Sequence, residues 1–267
     1  MDLSAENAGS SVTYLYVTAP SDIAACDLGA DTATVLVNYR TGDVHTLTDE
    51  SARWWAELST TGNPASTSVL DSQSASRLVN QLRAAGLLTG TTQPCPWPAP
   101  IPGKPWRLSF GTQESQAGRA PLPHVRVRAL AGGALAVAVV LLTRHIGRRS
   151  TSMARLLRLL TWAHHLGNHP ATPVQAEQAV NAVRRVCLLV PGRAACLEES
   201  TAAVLLLAAY RLQVTWCHGV AADPIRLHAW VETDHGPVSE PASTTRYTPL
   251  RTIPNRTKGD HDHQPER

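Results

Sequence analysis

Apolar positions along the chain change their period twice. Between residues 12 and 47 they come as short β-branched and aromatic runs, VTYLYV, TATVLVNY and VHTL, with RTGD between the last two. Such runs around a glycine-containing turn predict strands and a hairpin. The next stretch, LTDESARWWAEL, shifts to helical spacing. Trp54, Trp55 and Leu58 form one stripe, Thr48 stands at the cap position, and Asp49 and Glu50 occupy the first turn, where the helix dipole favours them. ASRLVNQLRAAGLL repeats the period with Leu78, Val79, Leu82 and Leu87, and Gly86 is a natural stop. Strands followed by two helices predict a small winged-helix-like module over residues 1–90.

The period then disappears. Six prolines between residues 94 and 105 block helix and ladder alike, which predicts an extended connector over residues 91–123 with Trp97 and Trp106 pinning it to a domain surface. Beyond it, helical patterns return at Ala129–Thr143, STSMARLLRLLTWAHHLG and PVQAEQAVNAVRRVCLLV, the last with Thr172 as cap and Pro173 at the first helical position. Short strand-like runs follow: LQVTWCHGV, LHAWVET and GPVSE. Helices followed by strands make an α+β domain, expected over residues 124–245. Residues 246–267, ending in NRTKGDHDHQPER, read as a disordered tail.

Composition narrows the function classes. At 267 residues and 43% hydrophobic content the chain can bury two cores, and a net charge of +3 with only Arg77 and Arg83 on the second helix argues against nucleic acid. Cysteines 26, 95, 187, 196 and 217 show no CxxC spacing, so neither a disulfide framework nor a zinc site is expected. His164, His165 and His169 lack a carboxylate or thiolate at useful spacing, so no metal and no cofactor is implied. The start, MDLSAENAGSSV, has no basic and apolar signal pattern, and a cytoplasmic location is the expectation. ALAGGALAVAVVLLT, between Arg126, Arg128 and Arg144, Arg148, Arg149, is shorter than the roughly 20 residues of a spanning helix. It predicts a buried or interfacial helix, compatible with a peripheral membrane contact.

Chemistry concentrates at CLEESTAAVLLLAAY. Cys196 follows the breaker Pro191-Gly192 and opens an apolar helix, a position that lowers a thiol's pKa, although a cysteine there can also simply pack. In LHAWVE, strand alternation puts His228, Trp230 and Glu232 on one face. A helix-start cysteine and a strand histidine are the pair that nucleophilic catalysis requires, and the turn TDHG returns PVSE so that Glu240 can hold the imidazole. An exposed strand edge near Asp43, Val44 and Leu47, with Leu78 and Leu82 on the helix as further walls, suits an extended peptide.

The stretch VRRVCLLVPGRAACLEESTAAVLLLAAYRLQVTWCHGVAADPIRLHAWVETDHGPVSE resembles the transglutaminase-like, papain-like cysteine protease domain of lasso peptide B proteins. VLVNYRTGDVHTLTDESARWWAEL with LVNQLRAAGLL resembles their precursor-peptide recognition element. The resemblance implies Cys196 as nucleophile, His228 as general base and acid, and Glu240 as the orienting carboxylate where the family more often has Asp. Asp234 is the reserve for that role. It further implies a leader peptidase, with a ribosomal precursor peptide as substrate and an ATP-using, asparagine synthetase-like lasso cyclase as partner. Two other readings stay open: a non-catalytic peptide-binding chaperone, and acyl transfer of the transglutaminase type.

Overall fold

The computed structural model describes residues 16–29, 33–104, 125–189, 195–222 and 224–254. Along the chain come β1 (Tyr16–Thr18), β2 (Ile23–Asp27), β3 (Ala33–Asn38), β4 (Val44–Thr48), α1 (Asp49–Thr61), α2 (Ser72–Ala84), β5 (Thr89–Thr91) and β6 (Ile101–Pro102). The second half holds α3 (Val127–His145), α4 (Ser152–Leu166), β7 (His169–Pro170), α5 (Pro173–Cys187), α6 (Cys196–Ala209), β8 (Leu212–Gln213), β9 (Thr215–Ala222), β10 (Ile225–Thr233), β11 (Gly236–Pro237) and β12 (Thr248–Ile253).

The chain divides into two compact units. The smaller comprises residues 1–21 and 48–99. Its core is the expected stripe of α1, with Trp54, Trp55 and Leu58 fully buried. Thr48 occupies the cap position of α1 but its side chain makes no capping bond. α2 is capped by Asp71, whose carboxylate accepts the N–H groups of Gln73 and Ser74. β1 and β5 pair antiparallel, Tyr16 opposite Thr91. Trp97 does pin its segment: its N–H donates to the Ser59 carbonyl at 3.0 Å and its ring meets Trp55 edge-on at 5.5 Å. Trp106 lies outside the described residues.

The larger unit comprises residues 22–47 and 100–267, so the compact units do not follow the expected division at residue 90. The hairpin groups with the C-terminal half for visible reasons. β6 adds to β2 in parallel, giving the order β4-β3-β2-β6. Gly103 N–H donates to the Asp27 carbonyl at 2.6 Å, and Ala154 N–H to that of Arg40 at 3.1 Å. Residues 101–102, expected to be plain connector, are therefore ladder, because an edge strand tolerates proline where its missing N–H faces away.

The helices of this unit enclose α6, whose Thr201, Ala202, Ala203, Leu206 and Leu207 are all buried. α5 begins as expected, with Thr172 and Gln175 forming a reciprocal capping box and Pro173 behind them. α3 is longer than its apolar run, at 19 residues, and is long and apolar enough to cross a membrane by length and composition. One of its faces, Gly133, Ala136, Val137 and Val140, is buried in the common core.

A four-stranded antiparallel sheet, β11-β10-β9-β12, completes the unit. Its last strand corrects the expected tail. Residues 248–253 pair with β9, and Thr248, Leu250 and Ile253 are buried. Inward residues every second or third place suffice for a bulged strand, a signal that the polar sequence on either side dilutes. Residues 255–267 lie outside the described residues.

Candidate active site

α6 starts at Cys196 with no side-chain cap from Ala195. Glu198, 1% exposed, instead turns back to accept the Ala195 N–H at 3.0 Å, and Arg144 of α3 pairs with its other oxygen. Most of the first turn's N–H groups stay unpaired within the helix, the condition that favours an anion there. The Pro191-Gly192 breaker lies outside the described residues.

His228 comes from β10. Its Nε2 stands 2.7 Å from Glu240 Oε2, which leaves Nδ1 as the nitrogen for the thiol of Cys196. The ring is also fixed from its flat sides: Trp230 stacks on it at 5.8 Å between centroids, and Tyr247 lies tilted at 5.2 Å. Glu240 arrives by a tighter route than a returning strand. β11 ends at Pro237, Val238 N–H still donates to Val231, and Ser239 then takes a left-handed φ of 52° that turns the chain inward. The Glu240 side chain is 6% exposed. Besides His228 it is met by Nη2 of Arg184 at 2.6 Å and by the Thr244 hydroxyl at 3.3 Å.

These contacts set the protonation states. Burial disfavours the Cys196 thiolate, but the His228 hydrogen bond, the Ala229 N–H, the imidazolium charge and the Leu197 N–H together outweigh it and hold the thiol below its ordinary pKa. Burial likewise opposes the charge on His228. Hydrogen bonds to Cys196 and Glu240, followed by the charges of both, overcome it and raise the imidazole to about 9. The contacts thus shift the pair toward thiolate and imidazolium and away from thiol and neutral imidazole. Cys196, His228 and Glu240 line a cavity of about 30 Å³ with Arg184, Glu199 and Ser200. That is room for roughly one water-sized group.

The other residues named from the sequence fall elsewhere. Asp234 is exposed in the turn after β10. Ser200 bonds back to the Leu197 carbonyl at 3.3 Å and also accepts the indole N–H of buried Trp216. Among the peptide-binding candidates, Leu47 and Leu82 are buried core residues. Val44 is 41% exposed on edge strand β4, Asp43 is exposed just before it, and Leu78 is half-buried on α2. Asp43, Val44 and Leu47 belong to one compact unit and Leu78 and Leu82 to the other.

Arg184 and Thr244 are site residues that the sequence reading missed. Arg184 is one of two adjacent arginines in the last turn of α5, and nothing local distinguishes it from Arg185. Also unforeseen is a buried hydrogen bond of 2.8 Å between the Tyr39 hydroxyl and His218 Nδ1.

A cysteine at a helix start, an imidazole on the adjoining strand and a carboxylate behind it form the acyl-transfer arrangement in which a thiolate attacks a carbonyl. Residues 138–252 match the family model described as transglutaminase-like superfamily. This segment is a transglutaminase-like domain. The match opens inside α3 and closes in β12, so the transglutaminase-like domain takes in the strand that had been expected to be tail. Such a domain is consistent with a cysteine protease or acyltransferase fold. No curated protein and no solved structure matches the chain.

Proposed function

We propose that the chain is the leader peptidase of lasso peptide biosynthesis. The observation that carries this reading is the Cys196–His228–Glu240 chain, with its thiolate below and its imidazolium above the ordinary pKa. The Cys196 thiolate attacks the carbonyl carbon of the bond between leader and core. The imidazolium of His228 gives its proton to the departing core amine, leaving a thioester on Cys196. His228 then takes a proton from water as the hydroxyl oxygen attacks the thioester, releasing the leader acid and restoring the thiol. Glu240 holds the ring through both proton transfers. The backbone N–H of Cys196, at the head of α6, suits the oxyanion.

In this reading the N-terminal region recognises the leader, with Val44 on the β4 edge and Asp43 just before it as the accessible contacts. The freed core amine passes to a separate ATP-using, asparagine synthetase-like cyclase, and the work is cytoplasmic. A second outcome of the same thioester is attack by an amine in place of water, which the family's transglutaminase likeness supports.

The test is to incubate the purified protein with a precursor peptide encoded beside its gene and follow product masses, with Cys196→Ala alongside. Release of an intact leader by the parent alone supports the peptidase. A product carrying the added amine's mass moves the reading to acyl transfer. Binding without cleavage by both proteins supports a chaperone, and equal cleavage by both removes Cys196 from the mechanism.

A further inference from the structure

Glu240 cannot orient His228 unless it is itself oriented, and it sits on a loop just past a left-handed residue. Among the described residues, Arg184 at 2.6 Å and the Thr244 hydroxyl at 3.3 Å reach it besides the imidazole, and Arg184 is the charged one of the two. Arg184, fixed in the last turn of α5, sends two nitrogens to two successive residues: Nη1 donates to the Ser239 carbonyl at 2.6 Å and Nη2 to Glu240 Oε1 at 2.6 Å. Its Nε edge lies 3.7 Å from Glu199 Oε2 on α6, three residues beyond the nucleophile. One planar guanidinium therefore ties together the helix before the site, the nucleophile's helix and the carboxylate's loop. That geometry is fixed, since the fork presents its donors in one plane.

We infer that Arg184 is a positioning residue for the reaction of Cys196: by gripping both the backbone and the carboxylate of the 239–240 loop, it fixes Glu240 Oε2 on His228 Nε2. The inference rests on the Cys-His-carboxylate reading above. The lysine variant separates grip from charge. A cation beside Cys196 and His228 favours the thiolate while disfavouring the imidazolium, and Arg184→Lys keeps that cation but cannot hold Ser239 and Glu240 together as the fork does.

The experiment measures the pH dependence of Cys196 alkylation by iodoacetamide in the full chain, read at the Cys196 peptide by mass spectrometry because Cys95 is also exposed. The proteins are the parent, Arg184→Met and Arg184→Lys, with thermal melting of each. Arg184→Met is expected to raise the apparent thiol pKa by about one unit, a roughly tenfold slower alkylation at pH 6. Arg184→Lys keeps the charge without the fork and should recover only a minor part of that loss; full recovery would assign the effect to charge and overturn the positioning role. It also serves as the test variant if the methionine form does not fold. An unchanged or faster alkylation in a folded variant, whatever its melting temperature, overturns the positioning role while leaving the peptidase reading intact. If the parent itself shows no thiolate below the ordinary thiol range, the catalytic reading fails and the inference with it.

Discussion

The two faces of the β9–β10 ribbon carry two histidines with opposite fates. His228 lies opposite Gly219, and His218 lies opposite Ala229, so strand alternation sends the two rings to different sides. On the inner face His218 stacks on Trp216 and bonds the Tyr39 hydroxyl. Burial, with the His228 charge adding to it, lowers His218 to about 4 and keeps it neutral. On the other face His228 is also substantially buried, yet it rises to about 9 because an anion stands at each nitrogen. Burial alone discharges an imidazole, and burial with paired anions charges it. The neighbouring groups, more than the residue type, decide which histidine carries a proton near neutrality.

The contrast can be broken most severely at the thiol. Cys196→Ala should remove precursor cleavage to background, a loss on the order of 10⁴-fold or more, in a product-mass assay. Glu240→Gln keeps the shape and removes one anion, so His228 should move toward the behaviour of His218. Its imidazole pKa should fall, and single-turnover cleavage should slow on the order of 10²-fold. The parent's cleavage rate should trace a bell against pH. It falls on the acid side as the thiolate takes up a proton below the ordinary thiol range, and on the alkaline side as the imidazolium loses its proton near 9. A single-limbed profile rising through the ordinary thiol pKa would mean that the pair is not formed. The smallest effect belongs to the other face. Tyr39→Phe leaves His218 Nδ1 without a partner and should cost about 1–3 kcal/mol in denaturant unfolding, with the cleavage rate constant unchanged.

Much of this site could be read from the sequence, because local rules carry it: an apolar helical run that follows Pro191-Gly192 in the sequence predicts Cys196 at a helix start, and alternation puts His228 and Trp230 on one face. Arg184 could not be read, since its role depends on a loop 55 residues further along the chain. The fold divides in the same way. Helices α1, α2 and α5 have clear apolar stripes, with side-chain caps on α2 and α5, and their positions follow from local pattern. The grouping of residues 22–47 with residues 100–267 depends on long-range contacts such as Tyr39–His218 and β2–β6, which no local pattern encodes. β12 was missed for a third reason: a six-residue strand with a bulge offers few inward positions to count.

β12 also bears on the order of synthesis. Domains fold as the chain emerges from its N-terminal side, and the parts of the site appear in the order Arg184, Cys196, His228, Glu240, Tyr247. The cysteine is thus made before the imidazole and carboxylate that stand beside it, and the ring's final neighbour, Tyr247, comes directly before β12. The thiol gains its imidazole and carboxylate neighbours only as the sheet closes, near the end of the chain's synthesis.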